Sequence, residues 1–133
     1  MIKLYLLLPA VAVLTACSGG DVTRGDIYSA CLDSQMRKFD NSERMLRKVT
    51  ELDGGGEFDE AAWARERTKE QAKSQNICNC AADTLPDRMG QDRLKDVVKF
   101  YKREGTTFSK GTFDRFSEVE QQEIIKCHIQ NLE

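Results

Sequence analysis

The chain is poor in the residues on which most enzyme chemistry is built, with one histidine, one tryptophan and two prolines in 133 residues. Any Ser-His-Asp or Cys-His set would have to use His128, which directly follows Cys127 in a segment of helical patterning, so a packed structural histidine is the expectation. A Gly-rich phosphate loop, a Gly-x-Ser-x-Gly elbow and a His-Glu-x-x-His zinc motif are missing, as is any alternating strand pattern. Basic residues are not in excess: 20 Lys and Arg stand against 22 Asp and Glu, for a formal charge of −2. That balance leaves no footprint for nucleic acid and no polybasic attraction to anionic lipid. The expectation is a non-catalytic chain without a cofactor.

Long apolar runs are equally scarce. The one that stands out, residues 4–14, follows the single charge of Lys3 at the extreme N-terminus. It is too short to cross a bilayer, which takes about 20 apolar residues, and it ends in small residues from Thr15 to Gly20. Charge, apolar run and small-residue end together have the form of an export signal.

The last four residues of that signal, Leu14-Thr15-Ala16-Cys17, resemble the lipobox of bacterial lipoproteins. The resemblance covers about the first twenty residues. It implies removal of residues 1–16 and a thioether-linked diacylglycerol with an amide-linked acyl chain on Cys17. Ser18 stands where many such proteins retained at the inner membrane carry Asp, so the implied address is the outer membrane, facing the periplasm. Residues 17–25 are then a lipidated tether reaching roughly 30 Å at most.

With Cys17 consumed, four of the five cysteines remain for residues 26–133: Cys31, Cys78, Cys80 and Cys127. An oxidising compartment makes them a disulfide framework. If Cys78 and Cys80 share a helix, their Cβ vectors diverge by about 200° and each must reach a different neighbour. Two connectivities stay open: Cys31–Cys78 with Cys80–Cys127, or Cys31–Cys80 with Cys78–Cys127. Two other patterns compete with stapling. Cys78, Cys80, Cys127 and His128 are residue types that suit copper or zinc, and a Cys-x-Cys pair can exchange disulfides where its thiol pKa is lowered.

Apolar spacing predicts an all-α domain, a bundle or array of about four helices stapled by two disulfides. Asp26 is the expected N-cap of a first helix with Tyr28, Leu32, Met36 and Phe39 on its inner face. Leu46, Val49 and Leu52 continue the stripe, either in the same helix or in a second one after Asp40-Asn41-Ser42, up to the Gly54-Gly55-Gly56 run. Asp59 is expected to cap a helix over residues 60–85 that is polar in its middle, with Glu66–Lys69 and Glu70–Lys73 pairs, and that Pro86 stops or kinks. Leu94, Val97, Val98 and Tyr101 mark the third helix. Ser117 to Glu120 form a capping box for the last, whose inner face is expected at Ile125, His128, Ile129 and Leu132. Phe108, Phe113 and Phe116, in the loop before it, are either partner-binding anchors or a lid over a thin core. The function this supports is a membrane-anchored binding or accessory module for a protein or envelope component.

Overall fold

The computed structural model describes residues 20–54, 56–104 and 113–130, and over these the chain is all-α. Its first helix, α1, spans Arg24–Leu52 and starts three residues before Asp26's expected capping position. Thr23 is the N-cap: its hydroxyl accepts from the Asp26 backbone N–H at 3.2 Å, and its own N–H donates to the Asp26 carboxylate at 2.8 Å. Asp26 thus closes a capping box from the third helical position, where an acidic group also suits the helix dipole. α1 runs unbroken through Asp40-Asn41-Ser42. There Ser42 donates to the Lys38 carbonyl at 3.1 Å, and Asp40 is held by Arg67 of the next helix. Gly54, at φ 73°, reverses the chain in a conformation that favours glycine.

The second helix, α2, spans Glu60–Arg88 and is capped by the Asp59 carboxylate, which accepts from Ala62 N–H at 2.9 Å. Pro86 does not stop it. The ring falls in the last turn, and the helix closes on the Met89 N–H to Leu85 carbonyl bond at 3.0 Å. α3 (Gln91–Glu104) starts on the Gly90 carbonyl, which accepts from both Arg93 and Leu94. The last helix, α4 (Glu118–Gln130), has the expected box, with Ser117 and Glu120 each accepting from the other's backbone N–H at 3.2 and 3.0 Å.

Disulfides and hydrogen bonds fix how these rods lie. α1 and α2 are antiparallel, joined by Cys31–Cys78 and, farther up, by Arg47–Glu60 at 2.6 Å. α3 runs alongside α1 in the same direction, since Val22 meets Gln91 at one end and Arg37 donates to the Tyr101 and Lys102 carbonyls at the other. α4 packs on α2 through Cys80–Cys127.

The core occupies one half of this length. Ile27, Cys31, Ile77, Cys78, Leu85, Leu94, Val97, Phe100, Tyr101, Ile124 and Cys127 are buried. No residue from 36 to 52 or from 59 to 73 is. The far halves of α1 and α2 therefore stand clear of the bundle as a helical hairpin. Phe39 stacked on Trp63 at 4.6 Å, and Arg47 over the Phe58 ring at 4.0 Å, hold it together. Among the described residues, no helix is long and apolar enough to cross a membrane.

Two inner faces differ from expectation, and for one reason. In α1 the buried residues are Ile27, Ala30, Cys31, Ser34 and Gln35, with Tyr28, Leu32, Met36 and Phe39 only half-buried. In α4 they are Ile124 and Cys127, whereas Ile125 and His128 are half-buried, Ile129 is 59% exposed, and Leu132 lies outside the described residues. Each helix is turned by about one residue so that its cysteine points inward, because a sulfur in a disulfide must face the helix it is bonded to. Leu46, Val49 and Leu52 do not continue the core either: among the described helices only α2 lies beside α1 at that height, and the three side chains stay exposed.

Candidate functional site

Cys17, the signal residues 1–16 and Phe108 lie outside the described residues. What the structure places is the domain's cysteine node, the point where the chain enters it, and the free end of the hairpin.

At the node, Cys78 bonds Cys31 and Cys80 bonds Cys127, with Cα–Cα distances of 5.5 and 5.6 Å. Cys31, Cys78 and Cys127 are buried and Cys80 is half-buried. α2 is therefore stapled to α1 on one side and to α4 on the other, and this resolves the connectivity the sequence leaves open. The soft-metal reading needs thiolates at Cys78, Cys80 and Cys127, and here all three sulfurs are in disulfides. Among the described residues, no three His, Cys, Asp or Glu side chains are grouped to hold a metal ion. His128 is half-buried beside the second staple, and burial, with Lys38 nearby, pushes its pKa below the ordinary histidine value. The imidazole is neutral at pH 7.

Where the chain enters the domain, Val22 is clamped from both sides of its peptide. Its N–H donates to Gln91 Oε1 at 2.7 Å and its carbonyl accepts from Gln91 Nε2 at 3.3 Å. Arg24 reaches across to Asp83 and to Asn79, the residue between the two staple cysteines. Val22 is thus held against α3 two residues ahead of the start of α1.

The aromatic loop is part of the packing. Phe116 is 5% exposed, and Phe113 packs against it and against Phe100 at 6.4 and 6.0 Å. The segment is fixed by Arg93, which donates to both carboxylate oxygens of Glu120 at 2.7 and 2.9 Å, to Asp96 at 2.9 Å and to the Arg115 carbonyl at 3.2 Å. This fork pulls the Glu120 pKa down to about 2. Phe113 and Phe116 therefore build the lid over the core, and Phe116 has no surface left to anchor a partner. A cavity of about 170 Å³ opens beside Arg93, smaller than the roughly 300–1,000 Å³ of ordinary ligand sites.

The apolar surface that stays open lies elsewhere, on the outer side of the hairpin, where Met45 is 70% and Leu52 is 84% exposed. Sequence reasoning found Leu46, Val49 and Leu52 but placed them inside. The signal that could have corrected it is the shortness of α3, 14 residues against 29 for both α1 and α2, which leaves the far half of α1 with α2 alone beside it among the described helices.

No family model matches the chain, and neither a curated protein nor a solved structure is recognisably similar to it.

Proposed function

We propose that this chain is a bacterial lipoprotein, held on the periplasmic side of the outer membrane by acyl chains on Cys17. Its helical domain acts as a non-catalytic binding or accessory module for a protein or other envelope component. The observation that carries this reading is that the four cysteines of the domain pair among themselves. Of the five in the chain, the fold makes no demand on the one that ends the lipobox-like motif. The clamp on Val22 supports it, since a residue only five positions after Cys17 is already held on the bundle, which would keep the domain close to such an anchor. A three-chain anchor exceeds the two signals that stable membrane attachment takes.

Growth of the producing bacterium with an alkyne-labelled palmitate tests the anchor. The wild-type chain is expected to take up label and partition with membranes, and Cys17→Ala to lose the label. A wild-type chain without label would refute it. Pull-down from detergent-solubilised envelopes then tests the binding role, and recovery of no stable partner would count against it.

A further inference from the structure

The two staples span equal lengths of chain but differ in how near solvent comes to them. Cys31 and Cys78 are each 0% exposed, inside the core with Ile27, Ile77 and Leu85. In the other bond Cys127 is buried at 1%, but Cys80 is only half-buried, and its Sγ lies 3.9 Å from the side chain of Gln130, an exposed residue of the last turn of α4. A disulfide is opened by a thiolate that must touch one of its sulfurs. Contact with Cys31 or Cys78 requires α1 and α2 to part, and the core with them. Contact with Cys80 requires a movement at the end of α4, where Cys127 is the one buried residue from 126 to 130.

We propose that Cys80–Cys127 is the reactive bond of the domain, a site for exchange with a dithiol of the Cys-x-x-Cys class, and that Cys31–Cys78 is its permanent counterpart. One thiolate of the dithiol attacks Cys80 Sγ and forms a mixed disulfide. The electron pair of the broken bond leaves on Cys127 Sγ, which takes up a proton. Thr84 Oγ1, whose hydroxyl donates to the Cys80 carbonyl at 2.8 Å, lies 3.7 Å from that sulfur and can turn toward the charge forming there. The second thiol of the dithiol then loses its proton and attacks its partner's sulfur, and Cys80 departs as a thiolate that is protonated in turn. Two electrons have passed to the domain, and the dithiol leaves as a disulfide. The end of α4 is thereby released, while its start stays held by Arg93 on Glu120 and by the buried Ile124. The exchange is stoichiometric and does not depend on acylation of Cys17.

Dithiothreitol serves as the dithiol in the test, applied to the full chain for graded times before alkylation with iodoacetamide. Trypsin places Cys31 in the peptide 25–37 and Cys127 in the peptide 127–133, so label on each reports one staple. Cys127 is expected to gain label at least about tenfold faster than Cys31, because attack on the half-buried sulfur meets the folded domain. Its rate should be proportional to reductant and unmoved by about 1 M urea, whereas the opening of Cys31 should accelerate there because it waits on unfolding. The singly reduced chain should still melt cooperatively, lose amide protection only from Cys127 onward, and restore Cys80–Cys127 under oxidised glutathione. In about 6 M urea the two rates should converge, since the preference belongs to the fold. Labelling of Cys31 first, or of both cysteines at one rate in the folded chain, overturns the proposal. So does a preference that persists in the unfolded chain, or a loss of protection that spreads into α1.

Discussion

Arg93 gathers three parts of the chain on one guanidinium: its own helix through Asp96, the aromatic loop through the Arg115 carbonyl, and α4 through Glu120. The fork favours the ionised Glu120, so its contribution to stability is complete above the ordinary carboxylate value of 4.5 and fades as pH falls toward about 2. His128 acts in a higher window. Its lowered folded pKa means that the unfolded chain takes up the proton first, so stability declines as pH drops below about 6.5 and levels off below the folded value. Glu120→Gln is therefore expected to cost about 1–2 kcal/mol at pH 7 and to flatten the stability profile between pH 4.5 and 2, with the higher window unchanged. Urea unfolding at a series of pH values checks both. Tyr101 gives the opposite case. Its hydroxyl is buried and has no hydrogen-bond partner among the described residues, and burial pushes its pKa up. Tyr101→Phe should leave stability unchanged or raise it by about 1 kcal/mol, and a loss of that size would reveal a partner for the hydroxyl.

Among the elements, the two long helices have unlike halves. Residues 27–35 and 74–85 carry all the buried positions of α1 and α2, and the hairpin beyond them is held by the Phe39–Trp63 stack, by Arg47 over the Phe58 ring and by solvent-exposed ion pairs, which are weak. Amide hydrogen exchange should show the break. Protection near the global value is expected over the core halves, with a fall of several kcal/mol over residues 41–52 and 60–70. Uniform protection along α1 would contradict this division. The same contrast explains what could be read in the residues alone. Helix existence, the Ser117 cap and the inner face of α3 were legible because local spacing decides them. The rotations of α1 and α4 were not, since large residues such as Tyr28 and Ile129 outweighed the small sulfur-bearing ones that face the centre. Nor did the stripe at residues 45–52 announce that it would lack a covering helix, because covering depends on the lengths of α3 and α4. Asp26 was a local error: the threonine three residues earlier accepts from Asp26's own N–H, and the aspartate becomes its partner at the third helical position.

For the molecule as a whole, a thin core is offset by covalent closure. Each disulfide spans a sequence separation of 47 and restricts the unfolded chain by about 4 kcal/mol in the entropic account, against a total stability of roughly 5–15 kcal/mol. Cys80→Ser with Cys127→Ser should cost about 3–4 kcal/mol, and a reductant that opens both bonds should unfold the domain near room temperature. Thermal melts with and without that reductant decide it, and identical curves would refute it. The candidate site was legible at its ends. The lipobox-like residues and the four cysteines could be listed from the sequence, while the exposure of Met45, Leu46, Val49 and Leu52 depends on which helix ends first.

The two staples abut, with Asn79 alone between them. Covalently the domain is a figure of eight, two equal rings hinged at a one-residue waist. A peptide bond cut anywhere inside either ring, the exposed hairpin tip included, frees no fragment, because the ring's sulfur bond still joins the two sides. Such a nicked molecule migrates as one species until it is reduced. Scission at the waist itself, beside Asn79 in the middle of α2, is what parts the halves. A domain tied in this way can be clipped on an exposed loop and still hold both sides of the cut in one molecule.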